Sequence, residues 1–176
     1  MKQFLIVVDM QKDFVDGALG SKEAVAIVPA VADKIRTFEG EIVVTYDTHT
    51  EEYMSTNEGR HLPVPHCIKG TGGWQLDAQV AAALAGRDYQ AVEKPTFGSI
   101  TLPSLLLDMA GDEEFTVELI GLCTDICVVS NALLIKANFP ECDVCVDAAC
   151  CAGVTPESHK AALATMASCQ IQIKNA

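Results

Sequence analysis

Four short stretches of the 176-residue chain carry residue types that could act together in catalysis. Asp9 lies in VVDMQKDF, Asp47 and His49 lie in YDTHT, Lys94 lies in VEKPTFGS, and Cys127 lies in GLCTDICV. Each stretch lies at the end of an apolar run that is typical of a buried strand, or directly after one. A thiol, an ammonium and a carboxylate at one place could attack a carbonyl carbon and move a proton. The sequence therefore predicts a cysteine-based catalytic site where these strand ends meet.

Cys127 is the better nucleophile candidate of the two cysteines in GLCTDICV. We expect it about one turn into a helix, where unsatisfied N–H groups and the helix dipole favour a thiolate. A nearby Lys94 ammonium would lower its pKa further, and Asp9 could accept its proton. The backbone N–H groups of Cys123 and Cys127 could hold a developing oxyanion. Taken singly, each residue is more often structural, so the prediction depends on their joint arrival.

The elements that must position these residues alternate between strands and helices along nearly the whole chain. Short runs rich in Val and Ile indicate strands buried on both faces. The alternation predicts an α/β fold, with three α/β/α layers around a mostly parallel, Rossmann-like sheet of six strands. In such sheets the ligand site lies at the carboxyl ends of the strands, near the point where strand order reverses. The predicted strands are 4–8, 41–46, 89–93, 115–121, 143–148 and 169–174, and the predicted helices are 23–38, 76–85, 102–109, 125–137 and 156–167, the last with Thr155 as N-cap.

One segment, residues 47–74, breaks this alternation. It has no credible long element, and it holds three of the four histidines among Gly, Pro and Glu residues. Long loops in compact domains are uncommon and are usually functional or disordered, and we favour a functional loop. Asp47 and His49 leave their strand on the same face, because alternate residues of an extended segment point the same way.

Length and composition predict a single domain over residues 1–176. The formal net charge of -12 argues against a nucleic-acid partner, and a membrane surface is equally disfavoured. The first apolar run is too short for a signal segment or a membrane span. Eight cysteines in a chain without such a segment indicate reduced thiols, so we expect a cytoplasmic protein.

Together the motifs resemble those of the isochorismatase-like cysteine hydrolases, and within them the sequence is most similar to nicotinamidases, pyrazinamidases and related amidases. The likeness covers nearly the whole chain: VVDMQKDF, a D-x-H followed by PHCIKGTGGW, KPTFGS, and GLCTDICV before a helix. It implies the isochorismatase-like hydrolase fold, and it makes Asp9, Lys94 and Cys127 a catalytic triad. It also implies a cis peptide bond in the nucleophile turn, which would here join Leu122 to Cys123.

The resemblance further implies a divalent metal site in the loop, with Asp47, His49 and His66 as ligands. Two imidazoles and a carboxylate suit zinc, and iron or manganese accept overlapping ligand sets. The fourth ligand stays open between Glu58, which we favour, and His61. In nicotinamidases this metal holds the pyridine nitrogen of the substrate and takes no part in bond breaking.

The activity implied is hydrolysis of a small carboxamide through a thioester, with nicotinamide as the expected substrate and a role in NAD metabolism. Phe14 and Trp74 could wall a flat ring, although Thr48 stands where many nicotinamidases have an aromatic residue. Family members are commonly homo-oligomers. His159, early in the last helix, is interpreted as an ordinary cap or surface residue.

Two alternatives stay open from the sequence. One is another C–N hydrolase of the superfamily, acting on a carbamoyl or ureido compound. The other is a non-catalytic binding protein in which Cys127 is a redox-sensing thiol, which would need an exposed sulfur and a resolving partner.

Overall fold

The centre of the fold is a sheet of six parallel strands in the order β3-β2-β1-β4-β5-β6. The computed structural model describes residues 1–176. The central strand β1 has its apolar run, Phe4 to Val8, fully buried. Such continuous burial requires cover on both faces, as the unbroken apolar sequence predicts. The strands are β1 (Lys2–Val8), β2 (Glu41–Asp47), β3 (Gln90–Lys94), β4 (Phe115–Leu122), β5 (Asp143–Ala152) and β6 (Gln172–Lys174).

Seven α-helices accompany the strands, and the five helices predicted from the sequence are all present within a few residues of their expected bounds. At the last of them, the Thr155 hydroxyl accepts a hydrogen bond from the Ser158 N–H and the Ser158 side chain accepts one from the Thr155 N–H, which confirms the predicted N-cap. The helices are α1 (Lys12–Val15), α2 (Lys22–Thr37), α3 (Asn57–His61), α4 (Ala78–Leu84), α5 (Leu102–Ala110), α6 (Val129–Asn138) and α7 (Pro156–Ser168). None of these helices is both long enough and apolar enough to cross a membrane.

Alternation along the strands sorts the apolar side chains into two cores, one on each face of the sheet. Ile6 and Val8 of β1 pack with α5, α6 and α7. Leu5 and Val7 point the other way and pack with α1, α2 and α4. The predicted three-layer α/β/α class is therefore confirmed.

The order of the strands reverses between β1 and β4, which are neighbours in the sheet although two strands separate them in sequence. Gly121, near the end of β4, lies opposite Val8 of β1 and has a φ of 114°. A Cβ atom at this position would lie 2.2 Å from the Val8 carbonyl oxygen, so only glycine fits. The chain thus brings the ends of β1 and β4 unusually close at the predicted position of the ligand site.

Two segments differ from the predicted pattern. The loop over 47–74 contains short helical pieces, a 3₁₀ turn (Glu51–Ser55) and α3, which are too short to give a periodic signal. The helix predicted to begin at residue 125 opens instead with a π-helical turn (Thr124–Val128), and regular α6 begins after it. Cys127 therefore lies in a widened turn, not in an ordinary first helical turn.

A buried charge cluster joins α2 to the sheet away from the predicted site. The Lys34 ammonium lies 2.6 Å from Glu118 Oε1 and 2.8 Å from Asp147 Oδ2, and Lys174 lies 2.8 Å from the other Glu118 oxygen. Burial alone would raise the pKa of both carboxyls, but hydrogen bonds from the lysines hold each below its ordinary value. The ammonium groups therefore offset the cost of burying the two carboxylates and favour their charged forms.

Replacing Lys34 by Met should lower the free energy of unfolding by about 2 kcal/mol at pH 7, since two buried carboxylates lose a shared partner. Their folded pKa values are depressed, so the contribution is present above their ordinary values and is lost as pH falls below about 4. The difference between wild type and Lys34→Met should therefore shrink between pH 7 and pH 3 in urea unfolding. Lys22→Met is the matched control, because Lys22 lies on the same helix with its side chain 91% exposed. An equal loss at both pH values would show that packing, not charge, is responsible.

Candidate functional site

The structure brings Asp9, Lys94 and Cys127 together at the carboxyl edge of the sheet. The Lys94 Nζ atom lies 2.6 Å from Asp9 Oδ2 and 3.5 Å from Cys127 Sγ. Asp9 directly follows β1, Lys94 ends β3, and Cys127 lies in the turn after β4. All three residues are buried: Asp9 is 0% exposed, Lys94 1% and Cys127 4%. The predicted convergence of a carboxylate, an ammonium and a thiol is therefore present in the fold.

The Asp9 carboxylate is held by the neighbouring strand. Its Oδ1 accepts a hydrogen bond of 2.6 Å from the Thr45 hydroxyl on β2, and its N–H donates to the Thr45 carbonyl oxygen. Asp9 adopts a left-handed backbone with a φ of 46°, which an Asp tolerates better than most residues. Thr45 was not predicted as part of the site, because a threonine inside a strand reads as an ordinary strand residue.

The turn that carries Cys127 has the backbone form that the family resemblance implies. The peptide bond between Leu122 and Cys123 is cis. The N–H groups of Ile126 and Val128 both donate to the Cys123 carbonyl oxygen at 3.1 Å, which fixes the turn on either side of the sulfur. The Cys123 N–H itself makes no hydrogen bond within the protein. This backbone donor is therefore free to hold a ligand oxygen.

Burial raises the pKa of Cys127 well above its ordinary value, and the Asp9 carboxylate adds to that rise. The Lys94 ammonium opposes both effects without overcoming them. Lys94 therefore acts on the thiol in the expected direction, but burial outweighs its effect in the free protein. The depth of the sulfur is the cause, and spacing in the sequence does not reveal it.

The charges of Asp9 and Lys94 support each other. Burial raises the pKa of Asp9 and the Lys94 ammonium opposes the rise. Burial alone would lower the pKa of Lys94, but the nearby acidic groups Asp9, Cys127 and Asp47 raise it above its ordinary value. Lys94 is accordingly an ammonium at neutral pH, and it lies between the Asp9 carboxyl group and a neutral thiol.

A second cluster lies next to these three residues. Four side chains, Asp47, His49, Glu58 and His66, offer ligand atoms that all lie within 4.8 Å of one another. Asp47 Oδ2 lies 3.0 Å from His49 Nε2 and 3.4 Å from His66 Nε2. Glu58 Oε1 lies 3.6 Å and 3.7 Å from the same two nitrogens. Two imidazole nitrogens and two carboxylates facing one point form a donor set that suits a divalent transition metal.

The structure shows which of Glu58 and His61 takes the fourth position of this cluster. Glu58, in the first turn of α3, faces the two imidazoles, whereas His61 ends the same helix and is exposed to solvent. His61 Nδ1 lies 2.8 Å from the Asn57 carbonyl oxygen of its own turn. The structure therefore brings the favoured residue, Glu58, to the cluster and leaves the alternative outside it.

Tyr53 orients both imidazoles, a role that no pattern in the sequence indicates. Its buried ring lies edge-on to His49 and to His66, with centroids 4.7 Å and 4.9 Å away, and its hydroxyl donates to the Leu62 carbonyl oxygen. His66 Nδ1 lies 2.8 Å from the Val64 carbonyl oxygen, so its Nε2 is the atom left to face the cluster. Ring orientation fixed in this way is usual for metal-binding histidines.

Gln11 and Asp13, two and four residues after Asp9, fix the loop that carries the cluster. The buried Gln11 amide accepts a hydrogen bond from the Asp47 N–H at 2.8 Å and donates to the Asp47 carbonyl oxygen at 2.9 Å. Asp13 accepts a hydrogen bond from the N–H of Cys67, the neighbour of His66, at 2.8 Å. The stretch DMQKD therefore contributes more than its first carboxylate. Its regular spacing of polar residues after a buried strand is the signal that could have indicated this.

The two clusters share Asp47. One Asp47 oxygen faces the imidazoles, and the other lies 3.5 Å from Lys94 Nζ. Burial alone would raise the pKa of Asp47, but hydrogen bonds from His49 and His66 and the Lys94 charge hold it well below its ordinary value. A carboxylate therefore joins the candidate metal site to the candidate catalytic residues.

The two aromatic residues expected to wall a flat ring have different ring neighbours. The Phe14 ring lies 5.4 Å from the His66 ring, beside the second cluster. Trp74 packs on Tyr46, with ring centroids 5.2 Å apart. Tyr46 points to the opposite face of β2 from Asp47, because adjacent residues of a strand alternate. The Trp74 Nε1 donates to the Thr48 hydroxyl at 2.9 Å, and both Phe14 and Trp74 pack on the same face of the sheet. Their role as walls for a flat ring stays a prediction.

His159 also departs from its interpretation as a surface residue. It is only partly exposed, and its Nδ1 lies 2.8 Å from the hydroxyl of the fully buried Thr124. This contact attaches the first turn of α7 to the turn that carries Cys127. The sequence alone did not indicate it because the two residues are 35 positions apart.

A parallel α/β fold with a buried thiol, ammonium and carboxyl group at its carboxyl edge is an arrangement that a hydrolase can use. A sequence model of the Isochorismatase domain matches residues 3–175. PncA of Bacillus subtilis (strain 168), described as an uncharacterized isochorismatase family protein, is 30% identical over 143 residues, covering 76% of this chain and 78% of that protein. The chain belongs to the isochorismatase family and is a hydrolase of that family.

Solved structures of nicotinamidases and pyrazinamidases have the same fold. The crystal structure of nicotinamidase/pyrazinamidase PncA from Bacillus subtilis aligns with a TM-score of 0.85 at 26% identity, covering 99% of this chain and 100% of that chain. The pyrazinamidase of Pyrococcus horikoshii in complex with zinc aligns with a TM-score of 0.81 at 28% identity, covering 98% of each chain. The likeness therefore extends over essentially the whole of each protein.

Glu58→Gln should weaken Zn²⁺ binding by at least about tenfold, because it removes a charged donor from the cluster. His61→Gln is the matched control, three residues away on the same short helix, and should bind as wild type does. Competition with a chromophoric chelator, after the protein has been stripped of metal, measures both. Loss of affinity in His61→Gln with none in Glu58→Gln would reverse the assignment.

Proposed function

We propose that this chain is a metal-containing cysteine amidohydrolase that converts nicotinamide and water to nicotinate and ammonia. The observation that carries the proposal is the convergence of Asp9, Lys94 and Cys127 beside a cluster suited to a divalent metal. Structural neighbours named as nicotinamidases and pyrazinamidases support the choice of substrate. We place the reaction in the cytoplasm and in NAD metabolism, carried out by a homo-oligomer.

The first step is attack by sulfur. The Cys127 thiol is neutral at rest, so its proton passes to Asp9 as Sγ forms a bond to the carboxamide carbon. The pKa of Asp9 is raised by burial, which suits it to accept that proton. Lys94, 3.5 Å from the sulfur, stabilises the negative charge that develops there.

The second step is loss of ammonia. The carbonyl oxygen becomes an oxyanion, and the N–H groups of Cys123 and Cys127 hold it, a role worth about 3 to 4 kcal/mol per donor in well-studied sites. The free N–H of Cys123 supports this assignment. Asp9 returns its proton to the amide nitrogen as the C–N bond breaks, which leaves a thioester on Cys127.

The third step is hydrolysis of the thioester. Asp9, again a carboxylate, takes a proton from water as the water oxygen attacks the acyl carbon. The same two N–H groups hold the second oxyanion. Collapse breaks the C–S bond, releases the carboxylic acid and returns the proton to sulfur. Lys94 remains an ammonium throughout and keeps Asp9 in place.

Asp47, His49, Glu58 and His66 would hold the metal, for which we propose zinc, with iron and manganese as alternatives. The fit rests on the four converging donor atoms and on the His66 ring, whose other nitrogen is held by a backbone carbonyl. When bound, the metal would act as a Lewis acid for the pyridine nitrogen of the substrate. Phe14, packed beside His66, is proposed to wall the ring.

A second candidate is a different C–N hydrolase of the same superfamily, acting on a carbamoyl or ureido compound. Of the two expected aromatic walls, Phe14 packs against a ring of the metal cluster, whereas Trp74 packs on Tyr46 and donates to the Thr48 hydroxyl. A redox-sensing role is disfavoured, because a sensor needs an exposed thiol and Cys127 is 4% exposed.

Wild-type protein supplied with Zn²⁺ should release ammonia from nicotinamide, and Cys127→Ala should lower kcat by at least about 10⁴-fold. Cys123→Ala is the matched control, since it keeps the backbone N–H and removes only a sulfur that the mechanism does not use. It should retain kcat within about tenfold of wild type. An enzyme-coupled ammonia assay measures all three proteins.

Near wild-type turnover by Cys127→Ala would overturn the nucleophile assignment. If the wild-type protein, supplied with metal, does not hydrolyse nicotinamide but does hydrolyse a carbamoyl or ureido compound, the proposed substrate is wrong and the proposed mechanism still holds.

A further inference from the structure

Asn131, on α6, is a fully buried polar residue that the proposed mechanism does not use. Its Nδ2 donates to the Cys127 carbonyl oxygen at 2.8 Å and to the Phe97 carbonyl oxygen at 3.3 Å. Its Oδ1 accepts a hydrogen bond from the Ser99 N–H at 2.9 Å. One side chain therefore joins the turn that holds the sulfur to the loop that follows β3.

The same loop holds the Lys94 ammonium. Lys94 Nζ donates to the Thr96 carbonyl oxygen at 3.0 Å, one residue before the part of the loop that Asn131 binds. The loop also packs closely on α6, since a Cβ atom on Gly98 would lie 3.4 Å from the Ser130 Cβ. The position of Lys94 relative to Cys127 is thus set through a backbone segment that Asn131 attaches to the nucleophile turn.

We propose that Asn131 is a positioning residue that fixes Lys94 at its distance from Cys127 Sγ, an inference that rests on the proposed function. An amide suits this place because it donates twice and accepts once, as the three backbone groups require. Leu has a similar size but satisfies none of them. Thr can return a hydrogen bond to the carbonyl four residues earlier, but it is too short to reach the loop.

Two variants distinguish the hydrogen bond that Asn131 makes to the nucleophile turn from those that it makes to the loop after β3. Asn131→Leu removes all three hydrogen bonds, whereas Asn131→Thr keeps the bond to the Cys127 carbonyl oxygen and removes only those to the loop. Asn138→Leu is the matched control, because Asn138 lies exposed on the same helix and bonds only to the Leu134 carbonyl oxygen of its own helix.

We expect kcat for ammonia release from nicotinamide to fall by about 10- to 100-fold in Asn131→Thr, and at least as far in Asn131→Leu, because the lysine is displaced from the reacting sulfur. KM should stay within about twofold, since Asn131 makes no contact with substrate in this mechanism. Asn138→Leu should match wild type. A purely structural role would lower the melting temperature without changing kcat of the folded enzyme, and that result would overturn the proposal.

Crystal structures of the wild-type protein and of Asn131→Thr provide a second test that needs no substrate. The separation of Lys94 Nζ and Cys127 Sγ, 3.5 Å in wild type, should lengthen as residues 96–99 move away from α6. An unchanged separation would overturn the proposal whatever the substrate is. A lengthened separation in a protein whose wild type does not hydrolyse nicotinamide would support the positioning role and reject the substrate. Failure of both Asn131 variants to fold, seen by circular dichroism, would assign Asn131 a structural role only.

Discussion

The ion pair between Lys94 and Asp9 is the interaction on which the rest of the site depends. Both groups are fully buried, and removing either would leave a charge without a partner, which costs about 3 to 5 kcal/mol in buried pairs. The fold retains this pair at the edge of its core because strands β1 and β3 end there with β2 between them. Thr45 of β2 holds one Asp9 oxygen and Asp47 of β2 approaches Lys94. The middle strand thus supplies the contacts that keep the pair in place.

Asp47 makes the two halves of the site interdependent. Its backbone is fixed by Gln11, one of its carboxylate oxygens faces His49 and His66, and the other faces Lys94. A change in the loop that shifted this carboxylate would alter the surroundings of the ammonium as well. Substrate binding and bond breaking, assigned in our proposal to neighbouring clusters, therefore share one side chain.

Most of the fold and the main functional residues could be predicted because both depend on local pattern. Buried parallel strands produce unbroken apolar runs, and residues such as Asp9 and Lys94 follow those runs directly in sequence. Tyr53, Thr45 and Asn131 could not be predicted, since their roles arise from contacts between segments that the sequence places far apart. The raised pKa of Cys127 was missed for a related reason, because depth of burial comes from packing and not from spacing. The contacts of Trp74 with Tyr46 and Thr48 could not be predicted either, because its position after a glycine turn does not tell which residues of β2 it contacts.

Gly121 sets a limit on how this scaffold can be diversified. Its left-handed backbone and the 2.2 Å approach of the Val8 carbonyl oxygen mean that any side chain there would push β4 away from β1. β4 leads to Cys127 and β1 leads to Asp9, so this displacement would change the distance between the two groups. A directed-evolution library aimed at new amides should therefore hold this glycine constant. It should also hold the candidate metal ligands His49, Glu58 and His66 and the neighbouring Tyr53, and place its variation at the other positions between β2 and α4, where sequence change leaves the strand spacing intact.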